Sequence, residues 1–450
     1  MPITHFCLDF FTFFIYTFVR FHRNSSKSVH LTSQNSGGPM RKMLAICLVC
    51  LIPTAWSFAA GYQIGEHGAK AQGMGSAFVA QASDPSAIFF NAAGLGFHNG
   101  INIMGGATLI APRTDFTGPT PSTTKTKMVS QNFFPPHAYV TYGMESGLAF
   151  GVGLFAPYGL GTEWDENWAG RYKAVKTDLQ AMYINPTIAY RVSPKLSVGA
   201  GFNYILGNVT LSQKVNLPPT MGGPLPVDWD SKLEGDGTAF TFNAGLLFKA
   251  TEKLSLGLSY RHVAEIEFEG DATFENVPSA VAAFFPNQTG KTTLPMPGDV
   301  KVGAAYAVQE NFIVEADLEY VLWSSYDELT LKFDKGVAGQ TELTSVKDYE
   351  NSILLRLGGE YTVDKLSLRA GFVYDQTPVP DKTLEPLLPD ANRLEVSLGL
   401  GFKVTENITI DAAYQLIKAS ERTVEPLVND FPGTYNSTAN LVGVSVNLGF

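Results

Sequence analysis

A chain of 450 residues that is 45% hydrophobic and only 16% charged would need two or three packed domains in water, yet helical segments to build them are hard to find. Its net charge of −10 argues against a nucleic-acid partner, or an anionic membrane surface, held by bulk attraction. The cysteines are Cys7, Cys47 and Cys50; all precede the expected mature chain, which is left without a thiolate for disulfide, redox or metal chemistry.

Residues 1–39 include FCLDFFTFFIYTFVRF, a greasy stretch that carries Asp9 and is short for a membrane-spanning helix. They are read as an extension upstream of the true start, Met40. The next segment, MRKMLAICLVCLIPTAWSFA, has a basic beginning at Arg41 and Lys42, an apolar run from Met43 to Ile52, and the small-x-small ending Ser57-Phe58-Ala59. That is the pattern of a secretory signal peptide over residues 40–59, with cleavage after Ala59. A lipid anchor on Cys50 is disfavoured, since Cys50 lies inside the apolar run and Val49 is too large for the preceding position.

Residues 60–99 are rich in Gly, Ala and Ser and show neither a period of 2 nor one of 3.6. They are expected to form compact irregular backbone with one or two short helical turns. From about Gly100 an alternating pattern takes over and persists to the end. In NRLEVSLGLGFKV, Leu394, Val396, Leu398, Leu400 and Phe402 fall on one face, and Arg393, Glu395, Ser397, Gly399 and Gly401 on the other. Short polar turns centred on Ser146, Pro194, Glu252, Glu310, Asp364 and Glu406 join such segments in pairs. Longer polar or Gly/Pro-rich connections lie near 113–134, 159–178, 212–235, 270–296, 334–348, 378–391 and 424–436. Short turns alternating with long loops imply an antiparallel barrel of about 14 strands over residues 100–450, all-β and transmembrane.

Which face looks outward follows from charge. Glu315, Asp317 and Glu319 share a face in one segment, and neighbouring segments offer Lys301, Arg356, Arg369 and Arg393. Such rows can pair inside a wet lumen, leaving the apolar rows against lipid. Hydrocarbon supplies no partner for backbone N–H and C=O groups, so only a closed sheet is admissible there. A soluble sandwich or propeller would need a second apolar layer that these loops lack. The final Phe450 resembles the C-terminal signal read by the barrel assembly machinery. Signal, barrel and terminal aromatic together place the chain among the lipids of a Gram-negative outer membrane.

Three stretches carry a resemblance to a known family. They are AGYQIGEHGAKAQGMGSAFVA followed by SDPSAIFFNAAGL, the segment around Trp168-Ala169-Gly170-Arg171-Tyr172, and LPMPGDVKVGAAY together with LPDANRLEVSLGLGF. Together they resemble the FadL-type outer-membrane transporters of long-chain fatty acids and other hydrophobic compounds. The resemblance implies a barrel closed by a small N-terminal hatch, here residues 60–99, and diffusion without ATP. Asn91-Ala92-Ala93 stands where the family has Asn-Pro-Ala, so that proline is absent here. It further implies an interior ligand site and sideways release where the third strand is kinked. In this sequence Gly151, Gly153 and Pro157 suit such a kink, because two side chains and one ladder donor are missing.

Capture at the surface would call for apolar loops. Leu217, Met221, Leu225 and Trp229 in one loop, and Val277, Val281, Phe284 and Phe285 in another, are costly to leave wet. The bland alternative is that they pack the two loops together. A fatty-acid carboxylate would want a basic partner, for which Arg171, Lys301, Arg356 and Arg393 are candidates; an aromatic hydrocarbon would want none. A general porin remains an alternative, though it would have no use for a plug. A lipid hydrolase is less favoured, because His67, His98, His137 and His262 are scattered and no G-x-S-x-G elbow or metal-spaced cluster occurs. No cofactor or metal is expected.

Overall fold

The computed structural model describes residues 61–217 and 223–450. The expected upstream extension (1–39) and signal peptide (40–59) lie outside the described residues. In chain order the strands are β1 (Gly100–Thr117), β2 (Lys125–Lys127), β3 (Pro136–Gly143), β4 (Leu148–Glu163), β5 (Lys176–Ser193), β6 (Leu196–Val215), β7 (Trp229–Lys249), β8 (Leu254–Arg261), β9 (Ala264–Glu275), β10 (Gln288–Met296), β11 (Asp299–Gln309), β12 (Phe312–Val321), β13 (Glu328–Val337), β14 (Gln340–Val346), β15 (Ser352–Val363), β16 (Leu366–Asp375), β17 (Arg393–Lys403), β18 (Ile408–Ala419), β19 (Arg422–Val424) and β20 (Gly433–Gly449).

Each strand pairs antiparallel with its neighbour in the ring. β20 closes on β1 in unbroken register from Asn102↔Gly449 to Thr117↔Thr434. Four wall positions are interrupted, so that β8 continues as β9, β10 as β11, β12 as β13 and β14 as β15, while β2 and β19 only edge β1 and β20. The result is a closed 14-stranded barrel. Closure leaves no terminal edge strand facing lipid, which an open sheet could not achieve.

Side-chain exposure is inverted relative to a water-soluble protein. Along β17, Leu398 is 60% exposed while Glu395 is 5% exposed. The same inversion holds on β12, where Leu318 and Tyr320 face out and Glu315, Asp317 and Glu319 are buried. Inside, the charges pair as their rows allow. Lys301 reaches Asp299 at 3.2 Å and Glu319 at 3.4 Å, Arg356 reaches Glu319 at 3.1 Å, and Arg369 lies between Glu360 at 2.5 Å and Asp411 at 2.7 Å.

All six short turns fall between paired strands where the sequence placed them. One long connection does not survive. The expected loop at 334–348 is a tight hairpin between β13 and β14, turning at Ala338 (φ 50°) and Gly339 (φ 83°). Two consecutive left-handed residues match the twist of the flanking strands, so the polar stretch extends the sheet instead of leaving it.

Residues 61–99 contain α1 (Ala69–Gly73), α2 (Ala87–Phe90) and a 3₁₀ turn at Ala92–Phe97. Short irregular backbone leaves amides without helical partners, and inward-facing side chains around the ring meet them. Asp317 accepts from the N–H of Phe78 (2.8 Å) and of Val79 (3.1 Å), Glu315 from Ala80 (2.6 Å) and Gln81, and Ser445 from Ala69 (2.9 Å). Arg261 donates to the Phe89 carbonyl, Arg356 to that of Gly75, and Tyr139 to that of His67. These partners sit on β12, β20, β8, β15 and β3, so the segment is bonded to the wall from several sides.

Candidate functional site

The N-terminal segment bonds backbone to backbone with the wall at β4. Gln63 forms a bridge with Tyr158, the Ile64 N–H donates to the Pro157 carbonyl at 2.8 Å, and the Gly159 N–H donates to Tyr62 at 3.0 Å. These bonds fall where the β4–β5 ladder slips between Phe155 and Tyr158. Pro157 cannot donate to a ladder, and the slip leaves Ala156 and Pro157 without ladder partners on β5.

The wall is also thin on the other side of β4. β3 pairs with β4 only over Ala138–Gly143 against Ala149–Leu154, and with β1 only as far as Ala107↔Pro136. Above that level residues 128–135 cross between β1 and β4: Thr108, Ile110 and Thr114 of β1 bond Pro135, Phe133 and Met128, while toward β4 Val129 donates to the Glu163 carbonyl at 2.7 Å. The Phe133 ring rests on Gly161, where any side chain would collide with it.

A cavity of about 590 Å³ opens at this place. Its inner lining includes Tyr62, Glu66, Arg356, Asp375, Arg393 and Glu395. It passes Ala156, Gly159 and Gly161 of β4 and reaches Phe134, Gln180 and Leu206, which are exposed on the outer surface. Ile110, Leu160, Leu179 and Leu388 supply apolar contact surface within it. A smaller apolar pocket shares Tyr62, Leu160, Leu179 and Leu388 with it and continues to Phe268, Leu294, Tyr326 and Tyr349.

The sequence-derived site residues separate into groups. Arg356 and Arg393 line the cavity, whereas Lys301 faces inward away from it and belongs to a small neighbouring void. Arg171 is not in the lumen. It lies on the loop after β4, bonded through Nε to Asp228 at 2.8 Å and through Nη2 to the Tyr172 hydroxyl at 2.7 Å. Burial raises the Asp228 carboxyl, but hydrogen bonds from Arg171, Asn216 and Tyr172 outweigh it and hold the group below the usual carboxylate range. In the same loop Trp168 stacks on Trp164 with centroids 4.3 Å apart.

Trp229 and Phe285 are buried against each other at 4.9 Å, with Leu217, Leu225, Val277 and Val281 packed around them. None of these lines the cavity. Phe284 stays 57% exposed, and Met221 lies outside the described residues. Gly151 and Gly153 lie below the ladder slip rather than at it. A side chain at either would run into Ile88 of the N-terminal segment, at 2.8 and 2.9 Å. Asn91 is fully buried; it accepts from the Ala93 N–H and donates to the carbonyls of Val79 and Leu246, while the backbone of Ala92 and Ala93 lies against Gly199.

Sequence reasoning missed Tyr62, Phe133, Tyr158 and the carboxylates Asp375 and Asp390. The run Phe133-Phe134-Pro135-Pro136, apolar and donor-poor at the end of a polar loop, was the one local signal of the bridge.

Residues 50–450 match the family described as outer membrane protein transport protein (OMPP1/FadL/TodX). The chain is 29% identical to a 47 kDa outer membrane protein of Pasteurella multocida, over 87% of this chain and 94% of the relative. It is 27% identical to a long-chain fatty acid transport protein of Escherichia coli, over 82% and 89%. Among solved structures, a Pseudomonas aeruginosa FadL homologue superposes with a TM-score of 0.77 at 22% identity, over 87% of this chain and all of the other. The Ralstonia pickettii toluene transporter TbuX superposes at 0.66 with 20% identity, over 85% and 98%. The closed barrel with its lipid-facing apolar rows and the match over nearly the whole length agree: this chain belongs to the OMPP1/FadL/TodX family of outer-membrane transport proteins of Gram-negative bacteria, which are channels and not enzymes.

Proposed function

We propose that the protein is a passive channel in which a hydrophobic molecule is held in the luminal cavity and leaves sideways into the membrane through the gap at β4, while residues 61–99 close the straight route. The observation that carries this reading is the continuity of one cavity from the interior residues Arg356 and Glu395 to the outward-facing Phe134 and Leu206. A cargo following it would pass from lumen to hydrocarbon without crossing water. Burying one leucine- or phenylalanine-sized group is worth about 1.5–3 kcal/mol, so a few contacts along Ile110, Leu160, Leu179 and Leu388 give useful retention.

Leu217, Met221, Leu225, Trp229, Val277, Val281, Phe284 and Phe285 are assigned to first capture, with exposed Phe284 as the contact residue and the packed Leu217, Leu225, Trp229, Val277, Val281 and Phe285 shaping the loops. Phe450, which pairs with Ile101 through both backbone groups, is assigned to recognition by the barrel assembly machinery. Long-chain fatty acids and aromatic hydrocarbons are the cargo classes to compare. A general porin is disfavoured because it would not bond residues 61–99 to the wall from several sides.

The test is uptake of labelled oleate, toluene and a small sugar by cells lacking or expressing the chain, with Ala156→Trp as the blocked form. Uptake of an apolar compound that falls at least fivefold in Ala156→Trp supports lateral release. Free sugar passage without apolar uptake would point to the porin instead.

A further inference from the structure

We infer that the luminal cavity selects uncharged hydrophobic molecules, preferring a hydrogen-bond-donating end such as a hydroxyl, and disfavours a carboxylate head. This deepens the reading above by naming the cargo class of the same cavity.

The first ground is the charge of the lining. Glu66, Asp375, Asp390 and Glu395 face the cavity from inside, and Asp178 stands at its outer rim, against only Arg356 and Arg393. A proton shared by one pair of carboxyls would lower this excess without making the lining cationic. An anionic head brought there from water would lose hydration and meet like charge, which is the costly combination in a site of low dielectric.

The second ground is that both guanidiniums are already engaged. Arg393 donates to Asp390 at 2.9 Å and to the Gly61 carbonyl at 3.1 Å. Arg356 donates to Glu319 at 3.1 Å and to the Gly75 carbonyl at 3.3 Å. A cargo carboxylate at either would have to share its charge with a carboxylate already bonded to it, Asp390 or Glu319, and would meet that group's like charge. Of the other inward-facing cations, Lys301 and Arg369 are held in ion pairs as well, and Arg261 bonds the Phe89 carbonyl and does not line this cavity.

The third ground is an acceptor without a donor. Asp375 is 2% exposed and lines the cavity, and its Oδ1 has no hydrogen-bond partner among the described residues. Close by, Gln415 Nε2 is shared between Glu66 at 3.1 Å and Glu395 at 2.6 Å, and Glu66 also accepts from the Gly65 N–H at 3.1 Å. Asp375 is therefore short of a donor where Asp390 has three, and a buried acceptor gains most from a ligand that brings one. A hydroxyl does so; a carboxylate does not.

The experiment is equilibrium binding of labelled 1-dodecanol, toluene and dodecanoate to the full mature chain in lipid nanodiscs at pH 8, with empty discs subtracted. Dodecanol is expected to bind at least tenfold more tightly than dodecanoate, with toluene also saturable. The double variant Asp375→Asn/Glu395→Gln, checked for folding by heat-modifiable migration, should raise dodecanoate affinity at least tenfold and so narrow the ratio. Dodecanoate binding as tightly as dodecanol, or a ratio unmoved by the double variant in a folded barrel, overturns the selectivity while leaving the channel reading intact. Saturable binding of none of the three overturns both.

Discussion

The anchorage of the N-terminal segment can be tested at Asp317. Its carboxylate accepts the N–H groups of Phe78 at 2.8 Å and Val79 at 3.1 Å, both buried. In Asp317→Ala both donors lose their acceptor, at about 1–3 kcal/mol each, so local opening of this stretch becomes easier by about 2–6 kcal/mol. Removing one of two adjacent carboxylates relieves repulsion with Glu315 and offsets part of this, so the lower figure is the working one. Since 1.4 kcal/mol is tenfold, about 2 kcal/mol corresponds to roughly thirtyfold in the opening equilibrium. Hydrogen exchange by mass spectrometry on a peptide spanning residues 75–83, with the protein in nanodiscs, reads this directly. Single-channel conductance in planar bilayers reads its consequence. We expect both exchange and conductance to increase. Exchange within threefold of wild type would refute the energetic argument. Faster exchange with a silent conductance would refute the assignment of residues 61–99 as the closure.

Leu398→Arg puts a charge on the lipid face in mid-strand and should lower refolding stability in bilayers by about 2–4 kcal/mol, whereas the same change at Phe402, near the turn, should cost about 1 kcal/mol or less; denaturant titration in lipid vesicles compares the two. Trp229→Ala should cost the extracellular loop cluster about 3–5 kcal/mol and expose the loops to limited proteolysis, since the ring is fully buried against Phe285. Arg171→Ala removes an ion pair at the surface worth roughly 0.5–1 kcal/mol, so it should loosen the loop holding Trp168 without affecting barrel stability. Because Asp228 is held below its ordinary range, the clamp is fully present above the unfolded carboxyl's pKa and is lost as the pH falls through the lower folded value; loop proteolysis should therefore rise only in strong acid and be independent of pH across the neutral range.

Much of the architecture was legible in the chain because a lipid-facing strand must alternate and a hairpin must turn. The period of 2 in β17 and β12, the six polar turns and the rows holding Glu315, Arg356 and Arg369 each reported a local rule. The hairpin at Ala338-Gly339 escaped because a polar, glycine-rich stretch reads as a loop until a partner strand is known. Gly151 and Gly153 were marked as places where side chains are missing, but only the folded chain tells that Ile88 occupies the space.

The cavity lay further from reach. Gln63 meets Tyr158, Phe133 meets Gly161, and Asp375 faces the same space as Glu66. These contacts join residues far apart in sequence, across a segment with no period to betray its path. Alternation determined by itself that a barrel forms and which face meets lipid, since each strand must satisfy hydrocarbon on one side and water on the other. Where the wall thins, which carboxylates lack donors and which loops pack shut were decided only when the ring closed around residues 61–99, because those properties belong to neighbours that the linear chain does not name.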